Sequence, residues 1–192
     1  CPTIEIYWDI MAGLPNIWKR RGFYEKNIFD NPYAKTGIEI VSLPDIRWKR
    51  RDIKSVSLLA QCITKHEAHK RGAFECFMTE NGYVTECSSS SAFIIKNGVL
   101  ITKPLSNEIL PGIRRKVILG FANEAGLKIN ERNFTMDEVY EADEAFISAA
   151  TLMLLPVVKA DGKKIGGGKI GKFVPKLREM YANHLKKEAG IL

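Results

Sequence analysis

Short runs of apolar residues, separated by turn-forming residues, recur along most of the chain and predict a series of strands. The predicted strands cover residues 37–43, 73–79, 83–87, 92–96, 99–102, 127–132, 145–150 and 157–160, with a further short extended piece at 46–50. Two of the connections contain Asn-Gly, at 81–82 and 97–98, which is the strongest short signal for a β-hairpin. The strands on either side of each Asn-Gly are therefore predicted to pair.

Apolar residues at helical spacing predict three longer helices among these strands. Their predicted bounds are 55–70, 111–125 and 174–188, with a short acidic helix at 135–141. Ser55 stands at the N-cap of the first helix and Thr135 at that of the short one, which places Lys54 just ahead of a helix N-terminus. The apolar face of the first helix consists of Val56, Leu58, Leu59, Cys62 and Ile63. Together the elements predict a mixed α and β fold, with a central sheet wrapped by three longer helices.

The first twenty residues have a different pattern from the rest of the chain. Residues 3–8 alternate between apolar and polar, which predicts a strand, but the loop-like residues 9–21 that follow offer it no partner. We therefore interpret it as the last strand of an upstream domain. The predicted organisation is a remnant strand of a small N-terminal domain at 1–10, a linker at 11–34 and a large domain at 35–192.

Composition narrows the class of protein. With 192 residues, 45% of them hydrophobic, the chain can bury the core of one domain, or of one domain plus a fragment of another. It shows neither an apolar run long enough to span a bilayer nor a signal-peptide pattern, so we expect a cytoplasmic protein that does not bind membranes. The four cysteines are scattered, and we expect reduced thiols.

The net charge of +7 would permit binding to an anion such as nucleic acid or a phosphorylated cofactor. The charge is concentrated at residues 19–21, 49–51 and 163–172. Such clusters are usually a solvated face, and no aromatic-rich strand of the RNA-binding kind accompanies them. Nucleic acid is therefore not predicted as a partner.

Three positions could carry chemistry, and each has an ordinary alternative. Lys54 has apolar neighbours, which would lower its pKa and make it a nucleophile, although Asp52 would oppose this shift and a surface lysine is the simpler interpretation. Glu86 ends a strand, where most glutamates are solvated. The segment 110–115 opens a helix with free N–H groups and a glycine, which suits a phosphate but also a plain turn.

Two other patterns are rejected as sites. His66 and His69 lie three residues apart, whereas the helix of a zinc metalloprotease places its histidines four apart and needs a third ligand, so no metal site is predicted. The glycines at 166–168, followed by Lys169, lack the spacing of a phosphate-binding P-loop and indicate a flexible turn.

Taken in their order along the chain, five segments resemble the class IV (fold-type IV) pyridoxal-phosphate aminotransferases. These segments are Asp52-Ile-Lys54-Ser, Glu67-Ala-His69, Thr85-Glu86-Cys-Ser-Ser-Ser, Leu110-Pro-Gly-Ile113-Arg-Arg and Asp143 to Thr151. The run of serines after Glu86 is most similar to the D-alanine (D-amino acid) aminotransferase branch. The resemblance covers nearly the whole chain. It implies an α+β fold in which a mixed-sheet large domain binds pyridoxal 5′-phosphate, preceded by only the last strand of the small domain.

The resemblance implies a role for each matched residue. Lys54 would hold the cofactor as an aldimine and move the proton at the substrate α-carbon, and Glu86 would face the pyridine nitrogen. Backbone N–H groups of Ile113 and Arg114 would bind the phosphate, and Leu110 would pack on the ring. The implied cofactor-binding set is Lys54, Glu86, Ser89, Leu110, Gly112, Ile113, Arg114, Ala150 and Thr151. The implied activity is exchange of an amino group between a D-alanine-like amino acid and a 2-oxo acid, in a homodimer.

The chain departs from the family pattern at several positions. Arg114 and Ala150 stand where the family has phosphate-binding threonines, with Thr151 one place on, and Cys87 and Ser91 replace a glycine and an asparagine. The family's small domain also supplies an arginine to the phosphate and most of the pocket for the substrate carboxylate. Three alternatives therefore stay open: a branched-chain aminotransferase, an aminodeoxychorismate lyase of the same fold, and a truncated homologue without catalysis.

Overall fold

The computed structural model describes residues 28–190. The predicted strand at 3–8, the loop at 9–21 and most of the linker at 11–34 lie outside the described residues, so the domain division stays a prediction. In chain order the elements are α1 (Tyr33–Thr36), β1 (Ile38–Pro44), α2 (Leu59–Lys70), β2 (Glu75–Glu80), β3 (Tyr83–Cys87), β4 (Ser91–Lys96), β5 (Val99–Thr102), α3 (Ile113–Glu124), β6 (Lys128–Glu131), α4 (Met136–Tyr140), β7 (Glu144–Ala149), β8 (Met153–Ala160), β9 (Lys163–Lys164) and α5 (Phe173–Glu188), with a short 3-10 helix at Gly166–Gly168 before α5.

All of these strands join one mixed sheet. Its order is β3-β2-β1-β8-β7-β4-β5-β6, with β9 paired to β8. β1 runs parallel to both β2 and β8, and β5 runs parallel to β6. The other pairs, including the central β4–β7 and β7–β8 ladders, are antiparallel. The predicted mixed α+β class is confirmed. Among residues 28–190 no helix has the length and apolar character to cross a bilayer.

Both predicted Asn-Gly hairpins are confirmed. Asn81 and Gly82 have φ of 51° and 81°, and Asn97 and Gly98 have φ of 50° and 73°. Positive φ at both central residues is the type I′ turn, whose twist matches that of the flanking strands. The chain therefore returns directly, so that β2 pairs with β3 and β4 with β5.

The sheet buries apolar side chains on both of its faces. Along β4, Ala92 and Ile94 belong to a cluster that β1, β3 and α4 also line, whereas Phe93 and Ile95 belong to a second cluster beneath α3 and α5. Phe93 stacks on Phe146 of β7 with the ring centroids 4.6 Å apart. This two-sided burial explains why the central strands are nearly continuous apolar runs rather than alternating ones.

The region between β1 and α2 differs from the sequence prediction in two ways. Residues 46–50 form bends rather than a strand, because Arg47 and Arg51 are drawn into buried ion pairs. Helix α2 begins at Leu59 and not at Ser55, whose hydroxyl instead accepts a bond from the N–H of Ser57 at 3.3 Å. Such a local side-chain turn competes with helix formation. The prediction that Lys54 immediately precedes a helix is therefore wrong.

The apolar face predicted for α2 is present but lies on the surface of the described chain. The buried residues of α2 are Thr64 and Ala68, whereas Leu59 is 74% exposed and Ile63 is 50% exposed. The spacing was therefore the right one for a helix. Lys54 was predicted to have an apolar setting made by Ile53, Val56, Leu58 and Leu59. Within residues 28–190 this setting does not bury it, since Leu58 is half-buried and the other three are exposed.

Strand β8 begins four residues earlier than predicted. The connection predicted at 151–156 is only the turn at 150–152, because Met153 to Pro156 already pair with β7. A proline is tolerated at position 156 because the ladder with β1 begins only at Val157, so its missing N–H leaves no bond to β1 unmade. The bounds predicted for α3, α4 and α5 are confirmed to within two residues.

Candidate active site

Three segments meet beside the carboxyl end of β1. They are the β1–α2 loop at 45–58, the second half of β3, and the β5–α3 loop at 103–112. The N–H of Arg51 donates to the carbonyl of Asn107 at 2.9 Å, and the N–H of Leu110 donates to Oε1 of Glu86 at 3.3 Å. The loop that carries Lys54 and the loop that precedes α3 are thus tied to each other and to Glu86.

A β-bulge sets the direction of Glu86. Phe77 is paired with Cys87 and Thr79 with Val84, so two residues of β3, Thr85 and Glu86, stand opposite one residue of β2. Successive side chains of a regular strand point to opposite faces, whereas these two both reach the segment at 45–47. Bulges are a common means of redirecting a side chain beside an active site.

Glu86 belongs to a buried cluster of charges. Arg47 forms a two-pronged pair with Asp45, with Nε to Oδ1 at 2.9 Å and Nη2 to Oδ2 at 2.7 Å, and its Nη1 donates to Oε1 of Glu86. Arg47 is 8% exposed and Glu86 is 7% exposed. A buried arginine in this fork geometry holds two carboxylates at once. The cluster therefore fixes Glu86 from the side of the β1–α2 loop.

The two carboxylates respond differently to this burial. Burial raises the pKa of Glu86, although Arg47 and the N–H of Leu110 oppose the rise. Burial also acts to raise the pKa of Asp45, but the bonds from Arg47 and Thr85 outweigh it and hold that pKa below its usual range. The hydroxyl of Thr85 donates to Oδ2 of Asp45 at 2.6 Å. Asp45 is therefore the stable counter-ion of Arg47, and Glu86 is the carboxylate whose charge depends on its surroundings.

Lys54 lies in the β1–α2 loop and is exposed in the described chain. Asp52, the residue expected to act on it, forms an ion pair with Arg50 at 2.9 Å. The loop is held on both sides of Lys54, by the buried Arg51 before it and by the start of α2 after it. Its position is thus defined by the same loop that supplies Arg47 to Glu86.

The serines after Glu86 are held by a carboxylate that the sequence did not single out. Glu75 of β2 is fully buried and accepts bonds from the hydroxyls of Ser88 at 2.6 Å and Ser89 at 3.1 Å, and from Lys65 at 3.0 Å. The hydroxyl of Ser89, predicted to bind a cofactor, is thus directed to Glu75. A glutamate inside the apolar run at 73–79 was the signal for it, because a buried carboxylate needs partners.

The start of α3 is open to an anion. Its N-cap is Gly112, with extended backbone and no side-chain cap. A Cβ atom at position 112 would lie 3.5 Å from Oγ of Ser91, so the serine lies directly beside the helix start. The N–H groups of a first helical turn have no partner within the helix, and they carry the positive end of its dipole.

Ser91 has a partner across the sheet that the sequence also did not reveal. Ser91 of β4 pairs with Ser148 of β7, so their side chains lie on the same face, with Cβ atoms about 5 Å apart. The hydroxyl of Ser148 is buried and has no hydrogen-bond partner within residues 28–190. The turn that holds Ala150 and Thr151 follows directly and is exposed. The hydroxyl groups of Ser91 in β4 and Ser148 in β7 thus lie near the free N–H groups at the start of α3.

Arg114 uses its side chain elsewhere. Its Nη1 donates to the hydroxyl of Tyr181 in α5, and its guanidinium lies 5.1 Å from the centre of that ring. Only the backbone N–H of Arg114 is left at the helix start. Leu110 joins the two halves of the site, because its N–H reaches Glu86 and its carbonyl accepts from the N–H of Gly112 at 2.8 Å.

Neither metal nor thiol chemistry is indicated among the described residues. No three His, Cys, Asp or Glu side chains within 28–190 form a group that could hold a metal ion. Cys87 follows Glu86 directly, but burial raises the pKa of its thiol well above the ordinary value, and burial raises that of Cys76 to about 12. Such thiols stay protonated and act as core residues.

Comparison with known proteins identifies the family. The model of the amino-transferase class IV family matches residues 23–160, and the chain belongs to this family. A D-alanine aminotransferase of Listeria monocytogenes serotype 4b (strain F2365) is 39% identical over 156 residues, which is 81% of this chain and 54% of that protein. One of Staphylococcus aureus (strain N315) is 38% identical over 163 residues, covering 84% of this chain and 58% of that protein.

Solved structures of the same family have the same fold. The branched-chain amino acid aminotransferase of T.th., complexed with N-(5′-phosphopyridoxyl)-L-glutamate, matches with a TM-score of 0.73 and 26% identity, over 80% of this chain and 53% of that one. The branched-chain enzyme of Escherichia coli matches with a TM-score of 0.70 and 27% identity, over 79% and 53%. The chain thus spans about half the length of the relatives it matches. The predicted fold and family are confirmed.

Proposed function

We propose that this chain contains the large domain of a pyridoxal-phosphate aminotransferase that exchanges an amino group between a D-alanine-like amino acid and a 2-oxo acid. The observation that carries the proposal is the arrangement in which Leu110 joins a buried, redirected glutamate to an open helix start. Family membership and relatives named D-alanine aminotransferase support it. The phosphopyridoxyl complex of the T.th. enzyme supports pyridoxal phosphate as the cofactor.

The ring end of the cofactor would be held by Glu86. Arg47 and the N–H of Leu110 both donate to Oε1 of Glu86, which leaves Oε2 for the pyridine nitrogen. A carboxylate at that nitrogen keeps it protonated, and the ring, when bound, then accepts the electron pair of the substrate α-carbon. Arg47 opposes the rise in the pKa of Glu86 that burial causes and so favours its ionised form, which means that the two residues act together. Leu110 would pack on the face of the ring.

The phosphate end would be held by donors around the start of α3. Backbone N–H groups of Ile113 and Arg114 and the orphan hydroxyl of Ser148 suit the several oxygens of a phosphate. Gly112 allows the backbone to approach closely, and Ala150 and Thr151 would contribute from the adjacent turn. Ser148 is an addition to the residues predicted from the sequence. Ser89 would act indirectly, since its hydroxyl binds Glu75.

Lys54 would attach the cofactor through its amine and then move a proton. Its amine is the group that would hold the cofactor covalently through the cofactor aldehyde. The same amine would be the base that takes the proton from the substrate α-carbon and the acid that gives it back. Arg51 and the contacts of the β1–α2 loop position this lysine.

The substrate is tested by a half-reaction. We expect the full chain, loaded with pyridoxal phosphate, to lose its visible absorption band when D-alanine is added, and to lose it at least about tenfold more slowly with L-leucine. The 39% identity to D-alanine aminotransferases motivates this order. A faster response to L-leucine would instead support the branched-chain alternative, in line with the solved structures. If the chain takes up the cofactor but its absorption band responds neither to amino acids nor to aminodeoxychorismate, this result would support the non-catalytic homologue.

The proposal includes a homodimer, with a cytoplasmic location kept as a prediction. An exposed apolar surface, made of Ile53, Val56, Leu59 and Ile63, supports the dimer, because a large exposed apolar patch usually marks an interface. It also flanks Lys54, so a second copy there would bury the lysine. We expect sedimentation to show a dimer that Val56→Asp converts to a monomer, whereas Lys128→Asp, at an exposed position on the far edge of the sheet, does not. A monomeric unaltered chain would contradict this assignment.

A further inference from the structure

Arg178 of α5 is a buried cation whose hydrogen bonds within residues 28–190 all go to backbone carbonyls. It is 9% exposed, and among residues 28–190 it forms no ion pair. Its Nη1 donates to the carbonyls of Leu152 at 3.0 Å and Leu154 at 2.7 Å, and its Nη2 donates to those of Ile28 at 2.7 Å and Phe29 at 3.4 Å. A buried charge is normally matched by an acid. Here four backbone carbonyls take the place of such an acid. This indicates that Arg178 stabilises the backbone conformation of the two segments to which it donates.

The first pair of carbonyls belongs to a strained place in the chain. Leu152 and Leu154 flank Met153, which is fully buried and has φ of 57°. A residue with a side chain rarely adopts a positive φ, and it does so only where its surroundings enforce that conformation. The hydrogen bonds from Arg178 hold the backbone carbonyls on both sides of Met153. The path of the turn at 150–152 therefore depends on this arginine.

The second pair of carbonyls belongs to the first two residues that the structure describes. Ile28 and Phe29 precede α1, and Lys186 of α5 also lies over the ring of Phe29, 5.6 Å from its centre. The guanidinium is planar and offers donors in two fixed directions, so one side chain can bond two separate segments, which an ammonium group does less well. Arg178 thus joins the segment at 28–29 to the turn at 150–152.

The helix that carries Arg178 is itself firmly held. Both carboxylate oxygens of Glu144 accept bonds at the start of α5, from the N–H groups of Phe173 and Val174, each at 2.9 Å. A carboxylate at a helix N-terminus satisfies free donors and complements the dipole. Arg178 lies one turn further along α5. It therefore projects from a rigid support, as a positioning residue requires.

We propose that Arg178 is a positioning residue for the cofactor phosphate, which holds the turn at 150–152 in its binding conformation and couples it to the segment at 28–29. The inference rests on the proposed function, in which Ala150 and Thr151 lie beside the phosphate. In this proposal Arg178 makes no direct bond to the phosphate, because both terminal nitrogens of its guanidinium donate to carbonyls. A change in the conformation of the segment at 28–29 would therefore alter the phosphate site through the side chain of Arg178.

The first test separates phosphate binding from general damage. Arg178→Met and Arg178→Lys are compared with Lys176→Met, which removes a cation-to-carbonyl bond of 3.0 Å from the same helix to Ala125, away from the site. We expect Arg178→Met to weaken binding of pyridoxal phosphate about tenfold, and binding of pyridoxal, which lacks the phosphate, by less than about twofold. Arg178→Lys is expected to lie between, and Lys176→Met to leave both affinities unchanged. Equal losses for the two ligands would overturn the assignment.

The second test needs no cofactor. Hydrogen exchange of the full chain is followed in peptides that cover residues 150–154 and 28–32, with the β4–β5 hairpin as the internal reference. We expect both peptides to exchange faster in Arg178→Met while the hairpin is unchanged. If only one peptide responds, the coupling is wrong. If the unaltered chain takes up no pyridoxal phosphate, the proposed function fails. The exchange rates of the two peptides then decide by themselves whether Arg178 couples the segment at 28–29 to the turn at 150–152. If Arg178→Met does not fold, Arg178→Lys supplies the same comparison.

Discussion

Lys54→Ala is expected to abolish the covalent attachment of pyridoxal phosphate and to slow the half-reaction with D-alanine by a factor of about 10² to 10⁴, the usual contribution of a positioned acid and base. The attachment requires an amine within reach of the cofactor aldehyde, and the proton transfer requires the same amine afterwards. The measurement is borohydride reduction, which makes the attachment permanent, followed by the intact mass and a peptide map.

A matched control is available in the same loop. Lys49 also lies between β1 and α2, and its amine forms an ion pair with Glu80 at the end of β2. We expect Lys49→Ala to gain the full cofactor mass after reduction, with the modified peptide still containing Lys54. A gain of cofactor mass by Lys54→Ala that equals that of the unaltered chain would contradict the assigned role. So would a peptide map that places the cofactor on another lysine.

Arg47→Met is expected to lower the free energy of unfolding by about 3–5 kcal/mol, because it removes the ion-pair partner of the buried Glu86 and leaves the buried Asp45 with only the longer 3.4 Å pair to Arg51. Urea denaturation at neutral pH measures this. Arg71→Met is the control, since Arg71 pairs with Glu67 on the exposed surface of α2 and should contribute less than about 1 kcal/mol. Equal losses in the two variants would show that the buried cluster does not stabilise the fold.

The loss caused by Arg47→Met should depend on pH in a defined direction. Arg47 holds the pKa of Asp45 below its usual range, so this contribution to stability is complete above that range and is lost as pH falls from it through the lowered pKa. Burial raises the pKa of Glu86 with Arg47 opposing, so without Arg47 the native state prefers the protonated acid more strongly. Both effects make the deficit largest near neutral pH and smaller near pH about 4. A deficit that stays constant over this range would contradict the cluster's proposed charge state.

The same cluster has a consequence for the cofactor. Arg47→Met removes the group that lowers the pKa of Glu86 against the effect of burial, and a protonated Glu86 can no longer stabilise a protonated pyridine ring. The effect of this variant on the half-reaction with D-alanine should therefore exceed its effect on cofactor uptake. Arg47 acts here through Glu86, so it is a positioning residue in the proposed mechanism.

The sequence predicted those parts of the fold that short-range signals control. Two Asn-Gly turns and the N-cap at Thr135 were each recognisable within a few residues, and each is confirmed. The start of α2 was missed because Ser55 forms a local turn instead of a cap. The segment 46–50 was predicted as extended because its pairing with Asp45 and Glu86 cannot be seen in its own pattern.

The candidate site divides in the same way. Lys54, Glu86 and the segment 110–114 were named from the order of motifs, and their roles remain predictions. Arg47, Glu75, Ser148 and Arg178 were not named, because each acquires its significance from a contact more than ten residues away along the chain. Ser89 illustrates the reverse, since a motif placed it in the cofactor site while its hydroxyl binds Glu75.

By itself the sequence determined the class of fold, the family and the order of the motifs, because turns, caps and apolar periodicity depend on neighbouring residues. The tertiary structure alone decided which charges meet in the buried Asp45–Arg47–Glu86 cluster, and which way the bulge at Thr85 and Glu86 turns a side chain. It also decided that the apolar face of α2 lies outward in the described chain. Burial and ion pairing are properties of the assembled sheet, and no single stretch of sequence contains them.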